Sequence, residues 1–118
     1  MPAETESVGA IVKGLVARIP KGRTTSYGAV GRAAAAFGRP IGGARTVAWI
    51  LASLRGRDRT PWHRVVGARG VILLPDRRGA LQRSRLRQEG VSFIEGVVAA
   101  RHYLDEAALI AALQKRRR

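Results

Sequence analysis

At 118 residues, 46% hydrophobic and 5% aromatic, the chain is long enough for one domain with a modest core of Ala, Val, Leu and Ile. Lys+Arg number 22 against 8 Asp+Glu, a formal net charge of +14, which points to an anionic partner, nucleic acid ahead of a membrane surface. The absence of cysteine excludes disulfides and thiolate metal sites, no apolar run approaches the roughly 20 residues of a membrane span, and Met1 to Glu6 lack the basic and apolar blocks of a signal peptide.

The first predicted element is a helix. Val8, Ile11, Val12, Leu15, Val16 and Ile19 recur at helical spacing, with Ser7 as N-cap and Pro20 as terminator. After a turn at Lys21–Arg23, Thr24, Thr25 and Ser26 offer caps for a second helix over about Tyr27–Phe37, its inward face Val30, Ala33, Ala34 and Phe37. Gly38, Arg39 and Pro40 break it. A third helix is predicted over about Gly43–Leu54, with Val47, Ile50, Leu51 and Leu54 as its apolar stripe. Helix, short Gly/Pro turn and helix read as a helix-turn-helix. Arg55–Thr60 is a basic loop. His63–Val66 and Val71–Leu74 flank Gly67–Gly70 and predict a small hairpin. Pro75–Gly79 reads as a second loop and Ala80–Glu89 as a helix closed by Gly90. Val91–Ile94 and Val97–Ala100 are strands around Glu95-Gly96, Asp105 caps a last helix through Leu113, and Lys115–Arg118 is a basic tail. The organisation expected is an N-terminal extension over 1–7, a DNA-binding domain over 8–94, and a strand/helix extension over 95–118.

Four separated pieces carry a resemblance. They are Ile19-Pro20-Lys21-Gly22 with Thr25-Ser26-Tyr27-Gly28; Gly43-Ala44-Arg45-Thr46-Val47; Pro61-Trp62-His63-Arg64-Val65-Val66; and Gln88-Glu89-Gly90-Val91. In this order, with Arg45 and Trp62 separated by 17 positions, they resemble the C-terminal DNA-binding domain of the O6-alkylguanine-DNA alkyltransferases. Trp62 stands where that family carries the cysteine that accepts the alkyl group. An indole cannot become a thiolate, and the thiolate is the nucleophile. Pro-Trp-His-Arg is similar to the alkyltransferase-like branch, which binds alkylated guanine without repairing it.

The resemblance implies an α/β fold, mostly α, of the winged helix-turn-helix-like type, and it implies residue roles. Tyr27 matches the tyrosine that presses on the phosphate 3′ to the lesion. Arg45 matches the arginine finger that fills the gap left by the flipped base, from a recognition helix in the minor groove. The DNA-binding set implied is Thr25, Ser26, Tyr27, Ala44, Arg45 and Arg69. The lesion pocket implied is Trp62, His63, Arg64, Glu89 and Tyr27, with Arg77 or Arg78 from the covering loop stacking on the base. His63 and Glu89 match a His–water–Glu relay that activates the cysteine, a task they lose without a thiol. Leu54 stands at the family's asparagine.

The function expected is recognition of O6-alkylguanine in duplex DNA by nucleotide flipping, without catalysis, followed by handover to nucleotide excision repair. A cytoplasmic, nucleoid-associated monomer with no cofactor is expected. With His63 and His102 as the only histidines, no zinc site is expected. The first alternative is a plain helix-turn-helix regulator or nucleoid protein, which explains the charge but not Pro61-Trp62-His63-Arg64. The second is an enzyme such as a glycosylase, which needs a pocket carboxylate or amine where only Glu89 is supplied.

Overall fold

The computed structural model describes residues 7–115. Of the expected N-terminal extension only Ser7 falls within it, and of the basic tail only Lys115. The elements in chain order are α1 (Val8–Ala17), β1 (Thr24–Ser26), α2 (Tyr27–Ala36), α3 (Ala44–Ala52), β2 (Val65–Val66), α4 (Asp76–Gln88), β3 (Phe93–Ile94), β4 (Val97–Val98), β5 (Tyr103–Leu104) and α5 (Glu106–Lys115).

Caps set several helix starts. The Ser7 hydroxyl accepts from the Ala10 N–H at 3.1 Å, Ser26 from Ala29 at 3.0 Å, and the Asp105 carboxylate from Ala108 at 2.9 Å. The main core joins Val12, Val16 and Ile19 to Val30, Ala33 and Ala34 of α2, Val47, Ile50 and Leu51 of α3, and Leu109 and Leu113 of α5. Each such aliphatic side chain contributes about 1.5–3 kcal/mol by leaving water. Helices α2 and α3 form the expected helix-turn-helix. Their approach depends on Gly31, where a Cβ would sit 2.9 Å from the Gly42 carbonyl oxygen. The segment expected as an extension, 95–118, supplies α5 to this core and β5 to the sheet.

That sheet is parallel, in the order β2-β1-β5. Thr25 faces Val65 in register and Ser26 faces Val66; Thr24 faces Tyr103 on the other side. This corrects the hairpin expected over 63–66 and 71–74. Val65 and Val66 are fully buried, and a strand buried on both faces pairs within a covered parallel sheet. Trp62–Arg64 form a single 3-10 turn ahead of β2, and Val71 makes an isolated antiparallel bridge to Val97 instead. The antiparallel β3–β4 hairpin turns on Glu95 (φ 51°) and Gly96 (φ 81°) as expected from Glu-Gly.

A second correction concerns Pro75–Gly79. The segment is not a loop, because α4 begins at Asp76. Gly79 is not a breaker but a close-approach residue: a Cβ there would lie 2.2 Å from the Leu74 carbonyl oxygen. The helix therefore packs directly on the 72–74 segment and carries Arg77 and Arg78 in its first turn.

Candidate nucleic-acid interface

Residues 45, 48, 49 and 52 of α3 follow i, i+3, i+4, i+7 spacing and share one face. The opposite face, Val47, Ile50 and Leu51, is buried in the core. Arg45, Ala48, Trp49 and Ala52 thus look outward over a cavity of about 330 Å³, closed by Tyr27, Leu51, Trp62, Leu74 and Arg78. The walls are apolar except at Tyr27 and the two guanidiniums. A flat, uncharged ring that would be expelled from water finds aromatic and aliphatic partners here, with cations at its edge.

Trp62 forms the floor, positioned by the turn that precedes β2. Two guanidiniums hold its indole. Arg78 Cζ lies 5.3 Å from the ring centroid and Arg85 Cζ 5.5 Å. They are seven residues apart on α4, so both project from one side of that helix. Each cation–π contact contributes about 0.5–1 kcal/mol where solvent reaches it. Arg78 lines the cavity and Arg77 does not, which separates the two arginines that the sequence left open. The Tyr27 side chain is 9% exposed. Burial raises its phenol pKa, opposed by the Arg78 charge, so it remains a neutral hydroxyl at pH 7.

His63, Arg64 and Glu89 lie outside this cavity, contrary to their expected place in the pocket. Of the 3-10 turn only Trp62 lines the cavity; the His63 ring meets the indole edge to face at 6.3 Å. Behind the turn, Arg64 clamps Glu89 with both arms of its fork, Nε to Oε1 at 3.0 Å and Nη2 to Oε2 at 2.8 Å. Arg64 Nη1 donates to the Ile19 carbonyl at 2.9 Å. His63 Nε2 lies 2.8 Å from Glu89 Oε2. Burial works against the Glu89 charge, but the hydrogen bonds from Arg64 and His63 outweigh it and hold the carboxyl at about 2. Burial lowers the His63 pKa, with Arg64 and Arg85 adding to that direction and Glu89 opposing it. A neutral imidazole that donates Nε2–H to Glu89 leaves Nδ1 as an acceptor, and buried Nδ1 has no partner among the described residues. The Gln82 amide, also buried, donates to the His63 and Val65 carbonyls at 3.1 and 2.8 Å and locks the turn onto α4.

Two expected DNA contacts are also corrected. Thr25 is fully buried and its hydroxyl donates to the Leu104 carbonyl at 2.7 Å. Ser26 is 5% exposed and its hydroxyl caps α2. Both side chains serve the fold, not the surface. Ala44 and Arg45 are exposed at the start of α3. Arg69 is exposed in a turn with φ 64° and does not line the cavity. Leu54 packs on the core and, with Trp62, Arg78 and Arg85, borders a smaller space of about 250 Å³ on the far side of the indole. Trp49 and Arg85 escaped the sequence reading. Trp49 had a signal, since it falls off the apolar stripe of its own helix.

Residues 9–91 match the family model described as the DNA binding domain of 6-O-methylguanine DNA methyltransferase. The chain belongs to this family. It is 42% identical over 77 residues to the DNA base-flipping protein of Escherichia coli, covering 65% of this chain and 57% of that one. The chain thus spans little more than half the length of that relative. It is 35% identical over 82 residues to alkyltransferase-like protein 1 of Schizosaccharomyces pombe, covering 68% and 72%. The fold matches S. pombe Atl1 in complex with damaged DNA containing O6-carboxymethylguanine, with a TM-score of 0.61, 32% identity, and coverage of 74% and 79%. It also matches the S. pombe protein in complex with DNA, with a TM-score of 0.62, 28% identity, and coverage of 76% and 84%.

Proposed function

We propose that this protein binds O6-alkylguanine in duplex DNA by rotating the damaged nucleotide into the Tyr27–Trp62–Arg78 cavity, and that it leaves the alkyl group in place. One observation carries the reading. Trp62, which on the family resemblance falls at the acceptor cysteine, borders a cation-rimmed apolar cavity beside the helix-turn-helix, in a chain without cysteine. Helix α3 lies in the minor groove, and Arg45 at its first turn enters the stack as the base leaves. A guanidinium both stacks on bases and donates to phosphate or orphan partner. The neutral Tyr27 hydroxyl donates to the backbone beside the extruded nucleotide. The base rests on the Trp62 indole, a contact of roughly 1–3 kcal/mol. Alkylation helps before binding, because a poorly paired base costs less to extrude.

His63 and Glu89 activate nothing in this scheme, since a ring nitrogen and a carboxylate have no thiol beyond them to deprotonate. The lesion, held but unrepaired, passes to nucleotide excision repair in the cytoplasm, as the family resemblance suggests; no cofactor takes part. The test is a pair of duplexes identical except for one O6-methylguanine. The modified duplex is expected to bind more tightly at physiological salt, with the methyl group still on guanine and the protein mass unchanged. Equal affinities would return the protein to a plain helix-turn-helix binder, and a protein heavier by one methyl would make it a transferase.

A further inference from the structure

Trp49 is the most exposed large apolar side chain among the described residues, at 72%. No aromatic pair or cation–π contact of the described residues involves it. An indole left in water forfeits the burial that normally justifies so large an apolar group. Its position gives it something to cover. Trp49 is one turn after Arg45 on the same face of α3, and it borders the same cavity as Trp62. Ala48 and Ala52 are its small neighbours on that face, beside Arg45.

We propose that Trp49 is a second aromatic contact for the extruded nucleotide, closing over the mouth of the cavity whose floor is Trp62, and so a determinant of lesion preference. This rests on the flipping reading above. Trp62 is held from α4 by Arg78 and Arg85, whereas Trp49 rides on α3. A base between them is gripped from both α3 and the Trp62 turn. In the free protein the Trp49 ring has no partner and is free to clear the entrance. Once the base is seated, the ring removes its exposed face from water, and its Nε1–H is available to a sugar or phosphate oxygen. The contact exists only after extrusion, so it slows release of the lesion and does nothing for an unflipped duplex.

Trp49→Ala, Trp49→Leu and Trp49→Phe test this, each measured on duplexes with and without O6-methylguanine, beside thermal unfolding. The exposed position predicts unchanged melting. Trp49→Ala and Trp49→Leu are expected to lose about 5- to 150-fold in affinity for the modified duplex, the range of one base–aromatic stack, mainly in the dissociation rate. Affinity for the unmodified duplex is expected to stay within about threefold, and Trp49→Phe is expected to recover most of the loss. Because the chain has two tryptophans, Trp62→Phe leaves Trp49 as the lone indole. Its emission is expected to quench on the modified duplex and not on the unmodified one. Equal loss on both duplexes would make Trp49 a groove wedge and overturn the proposal, as would no loss on either. A wild-type protein without lesion preference would instead defeat the flipping reading itself.

Discussion

The two sides of the Trp62–Arg64 turn are built on opposite rules. On the front, the cations of Arg45 and Arg78 and the rings of Tyr27, Trp49 and Trp62 surround open space. On the rear, Arg64, His63 and Glu89 spend nearly all of their hydrogen-bonding capacity on each other and on the Ile19 carbonyl. A partner can gain from the front because open space adjoins these cations and rings. It can gain little from the rear, where, of the buried atoms of these three side chains, only His63 Nδ1 lacks a partner. Of three consecutive residues, Trp62 lines the cavity while His63 and Arg64 belong to a structural clamp.

Salt gives the largest separation of the two. Binding through the basic front neutralises phosphates, so affinity for any duplex is expected to fall steeply. For six to ten phosphate contacts the loss is about 10³ to 10⁵ between 50 and 200 mM salt. Fold stability, carried by the largely buried rear pair, is expected to change little over the same range. A shallow slope in a salt titration by fluorescence anisotropy would mean that the front does not carry the charge contacts.

Glu89→Ala is expected to break the rear alone. Removing one partner of a buried pair costs roughly 3–5 kcal/mol. With side chains 11% and 16% exposed, the low end applies, read by urea unfolding. The affinity ratio between modified and unmodified duplex is expected to survive in the fraction that folds. A stable Glu89→Ala that loses the ratio would put the carboxylate in the pocket after all.

Acid reads the same clamp without mutation. The Glu89 carboxyl is held at about 2 against an ordinary 4.5, so the folded state binds its proton less readily than the unfolded one. That stability is present above pH 4.5 and is lost as the pH falls towards 2, about 3 kcal/mol in all. His63 is also lowered from its ordinary 6.5. The unfolded chain therefore takes up that proton first, and acid below 6.5 destabilises the fold in the same direction. In Glu89→Gln the loss between pH 4.5 and 2 is expected to flatten. An unchanged acid limb would show that Glu89 is not the group responsible.

The helices, their caps and the helix-turn-helix were legible because periodicity and capping are local. Val8 to Ile19 and the α3 stripe announce their buried faces, and Ser7, Ser26 and Asp105 announce their helix starts. The sheet was not legible. Val65–Val66 carry no mark of which strand they join, and the parallel partner lies some forty residues earlier, at Thr25–Ser26. Gly79 misled for a related reason. Glycine as a breaker and glycine as a close-approach residue are the same letter, and only the Leu74 carbonyl tells them apart. The cavity is lined by Tyr27, Arg45 and Trp62, which the family motif named, and by Arg78, one of two arginines it left open. The motif could not show that His63 and Arg64 lie outside the cavity, or that Thr25 and Ser26 face inward. Arg85 reaches Trp62 across space, from a helix whose packing partner the sequence did not mark.

Arg45→Ala sharpens the comparison within the front. It removes a cation and the group that fills the emptied stack, so both duplexes are expected to weaken, by about 1–3 kcal/mol. Flipping, followed by a fluorescent base analogue beside the lesion, is expected to fall with it. Melting temperature is expected to hold, since Arg45 is exposed. Loss on the modified duplex alone would place Arg45 on the base and not in the stack.

The central claim is that the Trp62 floor sets the preference for the lesion. Its most direct test is the ratio of affinities for O6-methylguanine and guanine duplexes in folded Trp62→Ala. Binding to the unmodified duplex is expected to persist while the ratio drops by the value of one base–aromatic stack, about 1–3 kcal/mol. A ratio equal to that of the wild type would contradict it.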